Sequence, residues 1–378
     1  MTGQDNRIDL VRPDAPALAG FGAHAVGVRR HDLVNPGQVD VMAAMAGTDR
    51  LYDRPVVVEE WYPATAGTGR VEPYATLLRD GRTQVHLHGR AARGAGAVAG
   101  DFPLVVLSHG YPGNRMLMSH LGEALASRGY RVASLDHADS TYGDAAYLGG
   151  QAFGSTLVNR PLDTDFVIGA LGATRAAIVG YSMGGYGALV SGGARVARAA
   201  LTLERAGPVA RLWERHCDAV ADPRLKAIVT FGPWGRQMGL WDTEGMAGLS
   251  VPLLVIAGSE DAISGYATGM RLIFEQAVGV ERHLLTFEGA GHNAGAPIPA
   301  PVESWARVPW LDFPPFEHYA DPVWDTVRMN NIAQHAVAGF LGRHLKGEAV
   351  AMEVLAPGLR WERLAPGAAG LIPPPVVR

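Results

Sequence analysis

Short apolar runs alternate with longer segments of helical periodicity along most of this chain. Eight runs are rich in Val, Ile, Leu and aromatic residues, which is typical of strands: they lie at 22–30, 55–62, 102–108, 130–136, 176–179, 225–231, 251–257 and 283–287. Helical periodicity is found at 117–129, 162–171, 265–277 and 323–345. Strands that are apolar throughout are typical of parallel sheets covered on both faces. The pattern predicts an α/β protein with a mainly parallel sheet of about eight strands.

Several regions depart from this alternation. Residues 64–100 are rich in Gly, Ala and Arg, which predicts a long surface connection. Residues 293–322 hold aromatic side chains among prolines, so they are predicted to pack as a cover, to line a pocket, or both. The domain organisation predicted is a polar N-terminal segment (1–20), a single α/β domain (21–348) and a C-terminal tail (349–378).

The composition of the chain limits which partners and cellular locations are expected. The 378 residues are 48% hydrophobic and 19% charged, with a formal net charge of −4, so neither nucleic acid nor an anionic membrane is an expected partner. The single cysteine, Cys217, cannot form an internal disulfide. No apolar stretch is long enough to span a bilayer, and residues 1–10 lack a signal-peptide pattern. A cytoplasmic location is expected, with secretion as the alternative if a leader has been removed; the oligomeric state stays open.

Residues 180–185 carry the first chemical signal. They read G-Y-S-M-G-G and stand between the apolar run at 176–179 and a helix-compatible stretch. A serine flanked by glycines at a strand-to-helix turn is typical of a nucleophile elbow, in which neighbours of the serine must be small. This pattern predicts that Ser182 is a nucleophile.

A serine hydroxyl needs a base, and the base needs an orienting acid. The expected chain order is serine, acid, histidine, with both partners just beyond strand ends. His292 follows the strand ending at 287 and is predicted to be the base; His109, His335 and His344 are weaker competitors. Asp261 follows the strand at 251–257 and is the favoured acid, with Glu260 adjacent and Glu288 nearby as alternatives.

Two backbone N–H groups are expected to form an oxyanion hole. One belongs to Met183, the residue after the nucleophile, and the other to Tyr111 in the H-G-Y-P-G-N loop at 109–114. Losing one such donor typically costs about 2.7–4 kcal/mol of transition-state stabilisation. The side chains of Met183 and Tyr111 are also predicted to offer apolar surface beside the scissile bond.

The motifs at 109–114, 180–185, 257–261 (A-G-S-E-D) and 289–295 (G-A-G-H-N-A-G), together with the helical run at 318–332, resemble the α/β-hydrolase superfamily. The similarity extends from about 54 to 346 and is strongest to dienelactone-hydrolase-like and platelet-activating-factor-acetylhydrolase-like esterases. True dienelactone hydrolases use a cysteine nucleophile, whereas this chain has Ser182. The resemblance implies an α/β-hydrolase fold, with a cap, if any, at 195–224 that is small because this stretch is short.

A second similarity concerns the substrate. Cutinase-type polyester hydrolases also pair a tyrosine in the oxyanion loop with a methionine after the nucleophile, and they carry a tryptophan that stacks on aromatic acid units. Trp234 stands at the matching place, which implies a substrate pocket containing Tyr111 and Trp234; a packed loop tryptophan is the alternative interpretation.

The function predicted is a serine carboxylic-ester hydrolase that acts on small or medium esters through an acyl-enzyme. No cofactor or metal is predicted. The pair His86 and His88 lacks a third ligand, so it is interpreted as alternation on a short exposed strand, with a metal site as the alternative. The alternatives are a cutinase-like hydrolase of polyesters or aromatic diesters and a non-catalytic binding protein on a hydrolase scaffold. Acyl transfer, perhydrolysis and C–C bond hydrolysis use the same triad and stay open.

Overall fold

The computed structural model describes residues 6–203 and 209–368, so the parts of the predicted N-terminal segment, cap and tail at 1–5, 204–208 and 369–378 lie outside the described residues. The strands are β1 (Ala25–Val39), β2 (Leu51–Ala64), β3 (Arg70–Val71), β4 (Tyr74–Leu77), β5 (Gln84–Leu87), β6 (Ala92–Arg93), β7 (Leu104–Ser108), β8 (Arg131–Asp136), β9 (Ala176–Tyr181), β10 (Leu225–Phe231), β11 (Leu253–Gly258), β12 (Arg282–Phe287) and β13 (Leu359–Leu364). The α-helices are α1 (Val41–Met45), α2 (Ser119–Ser127), α3 (Ala145–Leu148), α4 (Phe153–Ala170), α5 (Met183–Ser191), α6 (Ala210–Trp213), α7 (Thr243–Ala247), α8 (Arg271–Gln276) and α9 (Thr326–Leu341).

One large sheet organises the described chain. Its strand order is β13-β12-β11-β10-β9-β7-β8-β2-β1-β6-β3, while β4 and β5 form a separate pair. The neighbours from β12 to β8 are all parallel, and β8-β2 and β2-β1 are antiparallel. The eight strands predicted from apolar runs are the contiguous block from β12 to β1. Because the central strands are parallel, their C-terminal ends meet at one edge, which gathers the loops that follow them.

Both faces of this sheet are buried, which explains the near-continuous apolar runs. In β7, Val105 and Leu107 pack into the core that contains α2 and α9. Leu104 and Val106 of the same strand pack into the opposite core, which contains α4, α5 and α8. Successive side chains of a strand point to opposite faces, so a strand between two cores is apolar at most positions.

The sheet has eleven strands within the described residues, rather than about eight, because short strands extend both edges. The difference at one edge is β13, which lies in the segment predicted as a tail and pairs antiparallel with β12. Leu359 and Trp361 pack against one core and Leu364 against the other, so the alternation of this strand fits the edge. At the other edge, β3 and β6 arise from the predicted surface connection at 64–100.

The described parts of the N-terminal segment and of the stretch at 195–224 both pack against the α/β domain. The N-terminal segment is held to the domain: the N–H of Ile8 donates to the carbonyl of His88 at 3.0 Å, and the N–H of Leu18 donates to His335 Nδ1 at 3.0 Å. In the stretch considered as a cap, Trp213 donates to the hydroxyl of Tyr186 at 2.8 Å. The described part of 195–224 therefore packs beside α4 and α5.

Two further expectations concern a metal-binding site and membrane-spanning segments. His86 is exposed on β5, and no group of three or more His, Cys, Asp or Glu suited to a metal ion occurs within 6–203 and 209–368. None of the helices described is both long and apolar enough to cross a bilayer.

Candidate active site

Ser182 stands at the tight turn between β9 and α5. Its backbone has a φ of 53°, in the left-handed region that non-glycine residues rarely adopt. The glycines on either side are required by close approach: a Cβ on Gly180 would overlap the carbonyl of Gly184, and a Cβ on Gly184 would overlap the carbonyl of Ser108. Ser182 is 8% exposed, so its hydroxyl has only limited contact with solvent.

The structure brings the three predicted polar partners together. His292 Nε2 lies 3.0 Å from Ser182 Oγ, and His292 Nδ1 lies 2.7 Å from Asp261 Oδ2. In the neutral tautomer that satisfies both contacts, Nδ1–H donates to the carboxylate and Nε2 accepts from the serine hydroxyl. The other oxygen, Asp261 Oδ1, accepts the N–H groups of Ile263 at 2.8 Å and Ser264 at 2.9 Å. The carboxylate is therefore fixed at both oxygens and holds the imidazole in one orientation.

The alternative acids and bases lie elsewhere. The side chain of Glu260 is exposed, and Glu288 pairs with Arg360 at 3.0 Å. Of the competing histidines, His335 accepts the N–H of Leu18, and His344 packs on the ring of Phe340. Among these candidates, His292 contacts Ser182 and Asp261 contacts His292.

The predicted oxyanion loop lies against the serine. A Cβ placed on Gly110 would stand 3.5 Å from the Cβ of Ser182, which shows how closely the two backbones approach. Met183 is the first residue of α5, where N–H groups carry the positive end of the helix dipole. The side chain of Met183 is buried in the core beneath α5, which differs from the expectation that it offers surface beside the scissile bond.

An open cavity of about 840 Å³ contains Ser182 and His292 in its wall. The ring of Tyr111 lines it, as do Phe313 and Phe316 from the stretch 293–322, so this stretch contributes to the pocket. Charged lining residues are Arg79, Glu260, Glu317 and Asp321. A cavity of this volume accommodates a small or medium organic molecule.

Trp234 lies beside the serine without lining this cavity. The backbone N–H of Trp234 donates to the carbonyl of Ser182 at 3.1 Å, which fixes the loop after β10 to the elbow. Its ring packs edge-on against Phe153 with the centroids 5.5 Å apart, and Phe153 in turn packs against Tyr111. Phe153 of α4 thus contacts the indole, while Trp234 stays half-buried, and its place in a substrate pocket stays a prediction.

A second, buried polar network lies under the oxyanion loop and escaped the sequence analysis. Ser108 Oγ lies 2.8 Å from His137 Nε2, and His137 Nδ1 lies 2.9 Å from Asp163 Oδ2. Burial lowers the pKa of His137 to about 3, so the imidazole is neutral at pH 7. Despite its burial, the pKa of Asp163 is lowered to about 2, because Arg54 and His137 stabilise the carboxylate. Although it has the composition of a triad, its side chains are enclosed and offer no access to a substrate.

The third buried charge beneath this loop, after Asp163 and Arg54, is Arg160, which like Asp163 lies on α4. It is 1% exposed and donates to the carbonyl oxygens of His109 and Gly110. The signal available in the sequence was Asp163 in the helical stretch predicted at 162–171, with Arg160 three residues before it, among largely apolar neighbours. Charged residues at such positions are rarely buried unless they are paired.

Comparisons with known proteins agree with this architecture. A family model described as alpha/beta hydrolase fold matches residues 103–191, which contain the oxyanion loop and the elbow. Cutinase 1 from Thermobifida cellulosilytica and a cutinase from Thermobifida fusca (strain YX) are each 27% identical over 211 residues, or 55% of this chain. These alignments span 66% and 58% of the two relatives, so this chain covers less than two thirds of their length.

A solved structure supports the fold over almost the whole chain. The ferulic acid esterase from Streptomyces cinnamoneus superposes with a TM-score of 0.65, over 94% of this chain and 99% of that chain, at 21% identity. The protein therefore has the α/β-hydrolase fold, which confirms the predicted fold class. The predicted resemblance to esterases of that superfamily, including the cutinase type, is also confirmed.

Proposed function

We propose that the protein is a serine carboxylic-ester hydrolase acting on small or medium esters. The observation that carries the proposal is the hydrogen-bonded chain from Asp261 through His292 to Ser182, with Ser182 and His292 in the wall of an open cavity. The similarity to enzymes named cutinase and ferulic acid esterase supports the same class of reaction.

In the proposed mechanism, Ser182 Oγ attacks the ester carbonyl carbon while His292 Nε2 takes the hydroxyl proton. The carbonyl π electrons move to the oxygen, and the N–H groups of Met183 and Tyr111 stabilise this oxyanion. The intermediate collapses, the C–O bond to the alcohol breaks, and His292 gives its proton to the leaving oxygen. Water, deprotonated by His292, then attacks the acyl-enzyme. The bond from the acyl carbon to Ser182 Oγ breaks, His292 returns the proton to Oγ, and the acid is released. Asp261 stabilises the imidazolium throughout. This chemistry needs neither a metal nor an organic cofactor.

The direct test is hydrolysis of a p-nitrophenyl ester by the parent and by Ser182→Ala. We expect kcat/KM to fall by at least about 1,000-fold, because the nucleophile is lost. Ser191→Ala is the matched control, since Ser191 is a buried serine at the other end of the same helix. Equal rates for Ser182→Ala and the parent would exclude the mechanism. Labelling of Ser182 by a fluorophosphonate probe separates the proposal from a non-catalytic binding protein.

A second candidate is a cutinase-like hydrolase of polyesters or aromatic diesters. It is favoured by the aromatic wall of the cavity, where the ring of Phe316 packs on Trp305, which is 66% exposed. Exposed aromatic surface beside an open cavity suits contact with a large apolar substrate. Release of soluble acid from a polyester film, compared with turnover of a small diester of the same acid, distinguishes this candidate. Turnover of the small diester alone would leave the first candidate in place.

A further inference from the structure

Arg160 is a buried cation whose partners are backbone carbonyls of the oxyanion loop. Its guanidinium donates to the carbonyl of His109, to the carbonyl of Gly110 at 2.8 Å and to the hydroxyl of Ser140 at 2.9 Å. Burial lowers the pKa of Arg160 to about 9, so the group stays cationic at neutral pH. A buried charge is unfavourable unless its partners compensate for lost hydration, and here loop carbonyls supply much of that compensation.

The carbonyl of Gly110 belongs to the same peptide unit as the N–H of Tyr111. In a trans peptide, which this one is, the C=O and N–H bonds point in opposite directions within one plane. Fixing the direction of the Gly110 carbonyl therefore fixes the direction of the Tyr111 N–H. The carbonyl points to Arg160 in the interior, on the side opposite to the N–H proposed as an oxyanion donor.

His109 provides a second donor to the same carbonyl. Its Nε2 accepts the backbone N–H of His137 at 3.1 Å, which leaves the proton on Nδ1, 2.7 Å from the Gly110 oxygen. Burial, Arg160 and His137 lower the pKa of His109 well below its usual value, so the neutral form with one proton is the stable one. Two donors thus converge on the Gly110 oxygen and leave the peptide plane little freedom to rotate.

We infer that Arg160 is a positioning residue for the oxyanion hole, acting through the Gly110–Tyr111 peptide. The guanidinium clamps the Gly110 carbonyl so that the Tyr111 N–H is held toward the oxygen of the reacting carbonyl. A cation at the oxygen end of a peptide also polarises it and makes its N–H a stronger donor. The hydrogen bond from the Tyr111 N–H strengthens as negative charge develops on the substrate oxygen, so it stabilises the transition state more than bound substrate.

The inference rests on the proposed ester hydrolysis and is tested by three variants. Arg160→Met removes the charge at similar length, and we expect kcat to fall about 100-fold, the scale of losing one oxyanion donor, with KM within about threefold. Arg160→Lys keeps the charge but not the forked geometry, so it should recover part of the lost kcat. Arg282→Met is the matched control, because Arg282 is 0% exposed and donates to the carbonyls of Phe274 and Ala365, at the start of β12.

Inhibitor affinities and a count of active sites distinguish the positioning role of Arg160 from a merely structural one. For Arg160→Met, we expect the affinity for a boronic-acid transition-state analogue to fall in parallel with kcat/KM, while a ground-state competitive inhibitor binds as before. The fraction of protein labelled at Ser182 at completion should match that of the parent, whereas misfolding would lower it. Arg282→Met should lower Tm but keep kcat within about threefold.

The inference is overturned if Arg160→Met keeps the kcat of the parent, or if Arg282→Met is slowed to the same extent. It is also overturned if affinity for both kinds of inhibitor falls equally. These results are distinct from a failure of the proposed function, in which Ser182→Ala would be as active as the parent.

Discussion

Arg54 and Asp163 form a bidentate ion pair in the interior of the protein. Arg54 Nε lies 2.7 Å from Asp163 Oδ1, and Arg54 Nη2 lies 2.9 Å from Asp163 Oδ2. Their side chains are 2% and 1% exposed, and the pair joins β2 to α4. Asp163 also accepts a hydrogen bond from His137, so this ion pair supports the buried network beneath the oxyanion loop.

The contributions of Arg54 and Asp163 to the free energy of unfolding should be strongly coupled. Asp163→Leu leaves the guanidinium of Arg54 buried beside one remaining carboxylate, that of Asp139, and should lower the free energy of unfolding by about 3–5 kcal/mol. Arg54→Met should have a similar effect, because it leaves the carboxylate without its main counter-charge. The double variant should lose less than the sum of the two single losses. Urea denaturation of the four proteins measures the coupling; additive losses would contradict a direct interaction.

The identity of the triad acid gives a second prediction. Asp261→Asn should reduce kcat by about 10⁴-fold, because the amide favours the wrong imidazole tautomer. Glu260→Gln tests the adjacent carboxylate, which is exposed and lines the cavity, so it should affect KM and leave kcat within about threefold. Steady-state hydrolysis of one p-nitrophenyl ester by both variants shows whether Asp261 or Glu260 is the triad acid. A larger loss for Glu260→Gln would assign the acid to the neighbouring residue.

Buried histidines predict a loss of stability in mild acid. Burial lowers the pKa of His120 and His137 to about 3 and that of His216 and His283 to about 4, from 6.5. At pH values between the lowered pKa of the folded state and 6.5, the unfolded chain binds more protons than the folded chain. The free energy of unfolding therefore falls as pH decreases from about 6.5 toward 3–4. Stability from these groups is fully present above about pH 6.5.

The contribution of one group is measured with His120→Gln. For His120 the lowered pKa arises from burial alone. We expect the variant to show about one proton less uptake on unfolding near pH 4.5, read from the slope of unfolding free energy against pH. Comparison of the far-UV circular dichroism at pH 7 checks that the variant is folded. An unchanged slope would mean that His120 does not contribute.

The aromatic residues around Ser182 should separate into two functional groups. Phe316 lines the cavity, so Phe316→Ala should raise KM for an aromatic ester roughly fivefold, corresponding to about 1 kcal/mol of lost ring contact. Trp234 packs on Phe153 outside the cavity wall, so Trp234→Ala should lower Tm and change KM by less than about twofold. Parallel measurements on an aromatic and an aliphatic ester show whether the effect is specific. A larger KM change for Trp234→Ala would restore the stacking role expected from the cutinase similarity.

The order of elements along the chain was readable from the sequence. The run Leu225–Phe231 is a strand over its full predicted length, because most of its side chains are apolar and pack into one of the two cores. The proximity of Ser182, Asp261 and His292 was predictable for a related reason: each follows a strand, and parallel strands bring their C-terminal ends to one edge. Topology alone therefore limited where these three residues lie.

The tertiary structure decided the contacts that depend on side-chain direction and packing. Arg160 is far from Gly110 in sequence, and only the rotation of α4 against the sheet aims its guanidinium at the loop carbonyl. The same helix places Phe153 against Trp234, which no local pattern indicates. Periodicity specifies which face of a helix is buried, but the partners of that face are set by how neighbouring elements pack.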